Sequence, residues 1–426
     1  MFKYTLYIVA LVAGVVVSLA ACTKRATTQQ VETEFYEINE RGGDDGSLLR
    51  VVNLNNQGVG SLRWALTQTG ARKIVFDVGG VIDLEEKSLK IREPHVTIAG
   101  ETAPSPGITL IKGGLRIETH NVKVSHLMIR PGDAGHSQGQ GWKPDGITIY
   151  GSKARHVVID HCSVTWAVDE NIAVSGPADK GVEATAGKVL IRNSIIAEAL
   201  SNASHPEGEH SKGILIHNNV QHVSLVNNLL AHNKRRNPYF KAGTTGIVTG
   251  NIIYNPGKRA IHMSSSSADA SLPILSITGN MFIPAANTSP NLSLISNYGK
   301  IYSSGNLVQG ESRPITDGKS ISLTAPPLQQ VGINLTDTDT QNDFCQTLSN
   351  AGARPWDPDP IDIRIKTQLL AGEGRIIDSQ SEVGGYPIHN VNNKETAEAG
   401  STQGDGMLQF DTELLREIPN LCSGMM

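Results

Sequence analysis

From His210 to Ala268 the chain carries no Asp or Glu, yet it holds Lys212, Lys234, Arg235, Arg236, Lys241, Lys258 and Arg259. Cations with no carboxylate nearby in the chain are available to pair with the charge of an anionic ligand. The protein as a whole is mildly acidic, with 37 Lys+Arg against 41 Asp+Glu, so the cationic band is a local feature and not a result of composition. A solvated surface face is the plain alternative for any one charge run. Histidines at 210, 217, 222, 232 and 262 add hydrogen-bonding capacity to the same window. Among the acids, Asp169-Glu170 is the adjacent pair nearest the band, but neighbours on a strand point to opposite faces, which makes a poor acid/base couple for glycoside hydrolysis. Nucleic acid is an unsuitable partner: the chain is 5% aromatic and does not interleave aromatics with bases for stacking.

An internal repeat indicates which elements must position these residues. Segments of the form apolar-x-apolar-x-(Asn/His) recur as Val122 to His126, Val157 to His161, Val189 to Asn193 and Val223 to Asn227, with looser copies ending at Asn251, Asn280 and Asn306. Equivalent anchors lie 24 to 35 residues apart, enough for a full coil of several short strands and too far for hairpins. Alternation predicts that the apolar pair and the terminal Asn or His share a face. One coil cannot bury its apolar face alone but a stack can, so the reading is a parallel β-helix, a solenoid. Gly is 43 of 426 residues, which suits tight corners. A β-sandwich would need turn signals every 8 to 12 residues or so, and they are missing. Ser61 followed by Leu62-Arg63-Trp64-Ala65-Leu66 reads as a short capped helix plugging the N-terminal end. Beyond about Gly310 the repeat fades into an irregular C-terminal wrap, with a helix predicted from Asp362 to Leu370.

At the N-terminus, Lys3 precedes an apolar run from Leu6 to Val17, followed by Leu19-Ala20-Ala21-Cys22. The run is too short for a comfortable membrane span and has the layout of a secretory signal ending in a bacterial lipoprotein box. Lipidation of Cys22 in a bacterial cell envelope, with secretion as the other option, is the expectation, and this anchor is the expected contact with a membrane. Cys345 and Cys422 can pair in an oxidising compartment, whereas Cys162 sits in an apolar strand and reads as a buried thiol. No Cys/His spacing resembles a zinc site. The run His205-Pro206-Glu207-Gly208-Glu209-His210 is rich in ligand types, but its Pro and Gly make it a loop.

Asn55 to Arg63, Val157-Val158-Ile159-Asp160-His161, Arg235-Arg236-Asn237-Pro238-Tyr239-Phe240-Lys241 and Ile376 to Pro387, in that order, together resemble the family 1 polysaccharide lyases, the pectate lyase family, from roughly Asn53 to Pro387. The resemblance implies a right-handed parallel β-helix that cuts pectate (homogalacturonan) by β-elimination, usually with calcium. It implies that Arg236 is the catalytic base and that Lys212, Lys241, Arg235 and His161 bind substrate. It also implies that Asp145 and Asp169 bind calcium; Glu170 as a third ligand, or the substrate's own carboxylates, would complete the shell. Two departures fall on the metal site, where Lys143 and Thr165 stand in place of acids. They leave open a calcium-independent pectin lyase, and a non-catalytic envelope protein that holds acidic polysaccharide is a separate alternative that would keep the cationic band without needing the Arg-x-Pro segment. The domain expectation is a signal over 1–21, a tether over 22–34, a catalytic β-helix over 35–310 and a capping C-terminal extension over 311–426, in a monomer.

The chemistry suits these residue types. Elimination from a uronan removes the C5 proton, which is weakly acidic beside a carboxylate that is already negative, and cations around that carboxylate stabilise the developing charge. A guanidinium is ordinarily always protonated. Arg236 therefore needs help, which is expected from Lys212, Arg235, Lys241 and the metal.

Overall fold

The apolar-x-apolar segments form strands, each paired in parallel with its equivalents in the coils before and after. Val122, Val157, Val189 and Val223 stand in one register column, and Val124, Ile159, Ile191 and Leu225 in the next but one. The computed structural model describes residues 30–388 except 269–270, 311–312 and 336–339, with 340–342 and 392–393 by backbone alone. The signal, Cys22, most of the tether and Cys422 lie outside the described residues.

Among the described residues, three sheets run the length of the solenoid. The first has eight strands and includes Leu115–Ile117, Ile147–Tyr150, Glu170–Ser175, Lys212–Ile216, Tyr239–Phe240 and Ile261–His262. The second has ten and includes Leu127–Arg130, Ser163–Thr165, Ile195–Ala197, Leu229–Ala231 and Ile252–Tyr254. The third has eleven and includes Val122–Ser125, Arg155–Asp160, Gly187–Arg192, Gln221–Val226 and Thr245–Thr249. A typical coil visits the third sheet, the second, the first and then the third again, one coil on. This is a right-handed parallel β-helix, the hand that parallel crossovers take. Val157, Ile159, Val164, Ile172 and Val174 of one coil are fully buried, each worth about 1.5–3 kcal/mol of apolar burial, and only because the coils above and below cover them.

The turn from third to second sheet differs from simple alternation. His126, His161, Asn193 and Asn227 adopt φ of 57°, 48°, 50° and 53°, the left-handed region that Asn and His tolerate better than most residues. This reverses the side-chain direction, so these four turn away from the core and are partly exposed. The inward ladder is the next position along: Ser194, Asn228, Asn251 and Asn280, all buried, and then the half-buried Asn306. Asn251 Oδ1 accepts the backbone N–H of Asn228 at 3.0 Å, and Asn251 Nδ2 donates to Leu225 O at 2.9 Å. Asn280 and Asn306 repeat the pattern. The sequence repeat thus merges two adjacent positions, an outward one in its first four copies and an inward one in its last three.

Helix α1 (Leu62–Leu66) caps the N-terminal coil as expected, with Ser61 Oγ accepting the Trp64 N–H at 3.2 Å and Leu62, Ala65 and Leu66 buried. The C-terminal segment is more regular than expected and lies along the flank. Helices α2 (Thr340–Asn350) and α3 (Pro360–Ala371) place Phe344, Leu348, Ile361, Ile365 and Leu369 against Trp166, Ile195, Leu229 and Ile252 on the outer face of the second sheet. That face is apolar and needs a cover. Polar contacts fix the position: buried Arg130 forms ion pairs with Asp359 and, at 3.1 Å, with Asp362, and Arg364 pairs with buried Glu198. On the third sheet, Tyr36, Ile38 and Leu328 cover Val158, Leu190 and Ile247, where Glu34–Tyr36 pairs with Leu328–Gln330.

Arg130→Met would leave Asp359 and Asp362 buried without their shared cation. The expected loss is about 3–5 kcal/mol, read as a lowered urea midpoint; an unchanged midpoint would remove this ion pair from the account of how the C-terminal helices dock.

Candidate active site

The acids and bases picked out in sequence meet on the outer face of the first sheet because parallel register places them there. Asp145 stands two residues before the strand Ile147–Tyr150, Glu170 opens the next strand, Lys212 opens the one after and Arg236 precedes Tyr239–Phe240. Glu170 is in register with Lys212, and Lys212 with Arg235. Carboxylate oxygens of Asp145, Asp169 and Glu170 lie within 4.8 Å of one another. Asp169 and Glu170 therefore converge instead of facing apart, because Asp169 precedes the strand and is exempt from its alternation. A hydrolase couple holds its carboxyls at about 5–5.5 or 6.5–9.5 Å, and this cluster is tighter than either.

Each carboxylate is held. Asp145 accepts the Thr148 hydroxyl at 2.7 Å and the Glu170 N–H at 3.1 Å. Glu170 forms an ion pair with Arg236, and Lys212 Nζ lies 3.4 Å from Asp169 and 3.9 Å from Glu170. Burial, with the Asp169 charge adding to it, pushes the Asp145 carboxyl up to about 7. Burial likewise lowers Lys212 and Arg236 from their ordinary values, while Asp169 opposes it in both. Desolvation thus adds to the help expected for Arg236 from neighbouring cations. The cationic window does not stay free of acids in space either: Glu209 pairs with Lys234 and with Lys258.

A second buried amide network backs this cluster. Asn233 Oδ1 accepts from Asn171 Nδ2 at 3.2 Å and from the Ala199 N–H at 3.0 Å, while its Nδ2 donates to Ile196 O at 2.9 Å and Asn237 Oδ1 at 3.1 Å. Asn171 follows Glu170 and Asn237 follows Arg236, so the network sets where both side chains emerge. Arg236 itself has φ of 63°.

Arg235 and Arg236 line a groove of about 660 Å³ with Lys212, Tyr239, Lys258 and His262. Tyr239 and His262 stack there at 4.2 Å, and burial pushes His262 down to about 3, so its ring is neutral. Sequence reasoning missed Tyr239 and His262 as a pair, although both sit at outward positions of neighbouring strands and are in register. Lys241 lies at the other end of its strand from Arg236, with Nζ 3.3 Å from His217 Nε2. His161 is elsewhere: the left-handed turn sends it to the corner between the third and second sheets, where it bonds Asp160 at 2.8 Å and stacks on His126 at 4.9 Å. It is not part of this cluster.

No family model matches the chain. Its homologues include proteins named "Probable pectate lyase C" from Aspergillus terreus and Emericella nidulans. The first is 36% identical over 257 residues, covering 60% of this chain and 54% of that protein. The second is 29% identical over 405 residues, covering 91% and 86%. The chain thus spans about half the length of the first of these relatives. A "Putative pectate lyase 21" of Arabidopsis thaliana is 28% identical over 260 residues, covering 60% and 58%. Among solved structures, the cedar pollen allergen Jun a 1 gives a TM-score of 0.47 at 17% identity over 73% of this chain and 90% of its own. A pectate lyase bound to a hexasaccharide gives 0.47 at 16% over 74% and 94%. These scores are too low to carry the fold, which rests on the strand pairing. The fungal relatives overturn the expected bacterial envelope lipoprotein, since fungi have no such envelope for an anchor at Cys22; a secreted protein is compatible with them.

Asn233→Ala would strip four hydrogen bonds from buried partners. The expected cost is about 2–4 kcal/mol in equilibrium unfolding, and wild-type stability would show that the network is dispensable for positioning Glu170 and Arg236.

Proposed function

We propose that the chain is a pectate lyase of polysaccharide lyase family 1, cleaving α-1,4-linked polygalacturonate by β-elimination to unsaturated oligogalacturonides. The observation that carries this reading is a half-buried arginine, Arg236, set beside Lys212 and three clustered carboxylates at the edge of a cation-lined groove. A polyanion suits that groove. In the reaction Arg236 takes the C5 proton, the C4–C5 double bond forms, and the C4–O4 bond breaks with its electrons on the leaving oxygen, which collects a proton from water. Lys212 and Arg235 hold the uronate carboxylate, and Lys241 binds a further carboxylate along the same strand.

Asp145, Asp169 and Glu170 fit a calcium ion, which takes about six to eight oxygens and which three carboxylates and a substrate carboxylate can supply. When bound it would neutralise the uronate charge that otherwise opposes loss of the C5 proton. Lys212 and Arg236 already contact these carboxylates, so they compete with a cation for them. Released from Glu170, Arg236 keeps its burial and loses its counter-charge, and both favour the neutral guanidine that a base requires.

Incubating purified protein with polygalacturonate, with and without chelator, tests the reading through the ultraviolet absorbance of the unsaturated product. New reducing ends without that chromophore would make it a hydrolase. Full activity in excess chelator would make it calcium-independent. Arg236→Lys keeps the charge but not the planar, buried guanidinium, and is expected to lower kcat by about 10²–10⁴-fold with a smaller change in KM; near-normal turnover would place the base elsewhere.

Calcium affinity is expected to depend on Asp145. Its carboxyl is raised to about 7, and a metal takes the ionised form, so affinity should rise with pH through that value. Titration calorimetry at pH 8 and pH 6 should differ roughly tenfold, and Asp145→Asn should flatten the difference. Equal affinities in the wild type would remove Asp145 from the ligand set.

A further inference from the structure

The loop from Ser201 to Ser211 returns two histidines to Asp169. His205 and His210 are 2% and 4% exposed and their rings stack with centroids 3.3 Å apart. His205 Nε2 is 3.6 Å from Asp169 Oδ2 and His210 Nε2 is 3.5 Å from Asp169 Oδ1. All three ligand atoms fall within 4.8 Å of one another.

The hydrogen bonding of His210 fixes its proton. Its Nδ1 lies 2.9 Å from Gly208 O, and a carbonyl only accepts, so the neutral ring carries its proton on Nδ1 and presents a lone pair at Nε2. That Nε2 is buried with no hydrogen-bond partner. A buried lone pair aimed at a carboxylate is unfavourable unless a cation lies between them, and a backbone carbonyl on the opposite nitrogen is how metal-ligating histidines are commonly oriented. The separations agree: four ligands at about 2.0–2.2 Å around a tetrahedral ion stand about 3.4 Å apart along each edge. His205 is the weaker ligand. Its Nδ1 accepts the Glu207 N–H at 3.1 Å, so its Nε2 holds the proton, and taking up a cation requires exchanging that hydrogen bond.

We propose that Asp169, His205 and His210 form a second cation site, selective for an imidazole-preferring divalent ion of the zinc, cobalt and nickel type, which shares Asp169 with the oxygen cluster. Two imidazoles and one carboxylate are a poor set for calcium, which takes oxygen ligands, and a good one for this class. The inference does not depend on the proposed lyase activity, although the two sites meet at Asp169.

Cobalt(II) added alone to the untagged chain tests it through the visible absorption of tetrahedral cobalt. The expected result is a band that saturates at one ion per chain, is abolished in His210→Ala and His210→Gln, is weakened at least tenfold in affinity in His205→Ala and is retained in Asp145→Asn, whose side chain belongs to the oxygen cluster alone. Glutamine keeps a buried polar group, so His210→Gln with an unchanged melting temperature separates lost ligation from lost folding. No band in the wild type, a band that survives in His210→Gln, or one that disappears in Asp145→Asn would each overturn the proposal.

Discussion

Parallel stacking fixes neighbouring strands about 4.8 Å apart, and that spacing governs everything placed on the surface of this solenoid. A side chain at one position has the equivalent side chains of the adjacent coils directly above and below it, closer than a Debye length in any physiological buffer. Like charges in such a column repel unless something intervenes. On the outer face of the first sheet the chain sets a block of acids, Asp145, Asp169 and Glu170, directly against a block of bases, Lys212, Arg235 and Arg236, so that the two blocks meet at Glu170 and Lys212. The charges are close enough to shift one another's protonation and are held by backbone pairing, so they cannot relax away as exposed loop residues would.

Inside the coils the same spacing lets short amides replace missing backbone partners. One inward column, Ser194 to Asn306, closes the corner between the third and second sheets. The Asn171, Asn233 and Asn237 network closes the corner behind the charged column. These networks have opposite consequences for function. The first stabilises the solenoid at a featureless corner. The second does so next to Glu170 and Arg236 and therefore also sets the starting points of two reactive side chains.

Much of the fold was legible because a solenoid writes its period into the chain: Val157, Val189 and Val223 mark one strand position, and Ser61 caps its helix in the ordinary way. The amide ladder was half legible. The sequence shows Asn recurring but not that a left-handed residue such as Asn193 or Asn227 turns outward and hands the inward position to its neighbour. Within the candidate site, Asp145, Asp169, Lys212 and Arg236 were legible from motif order. His161 was misplaced because a strand-end histidine carries no mark of which corner it occupies. His205 and His210 were set aside as a loop because metal-ligand spacing rules assume helices or tight knuckles, and this loop brings its ends together by lying across Asp169.

Arg130 is separated from Asp359 by 229 residues, and this has a consequence for synthesis. A ribosome delivers the chain from its N-terminus, so the coil holding Arg130 is complete long before its counter-ions exist. Until α3 emerges the guanidinium has to stay in water, and until α2 and α3 have both emerged the apolar strip of Trp166, Ile195, Leu229 and Ile252 lacks its full cover. The solenoid can grow coil by coil, but its flank can be sealed only by the last part of the described chain. A chain that ended after the last coil and before α2 would therefore consist of stacked coils with an open, adhesive side, and quality control would meet a protein whose groove is already shaped while its flank still invites aggregation.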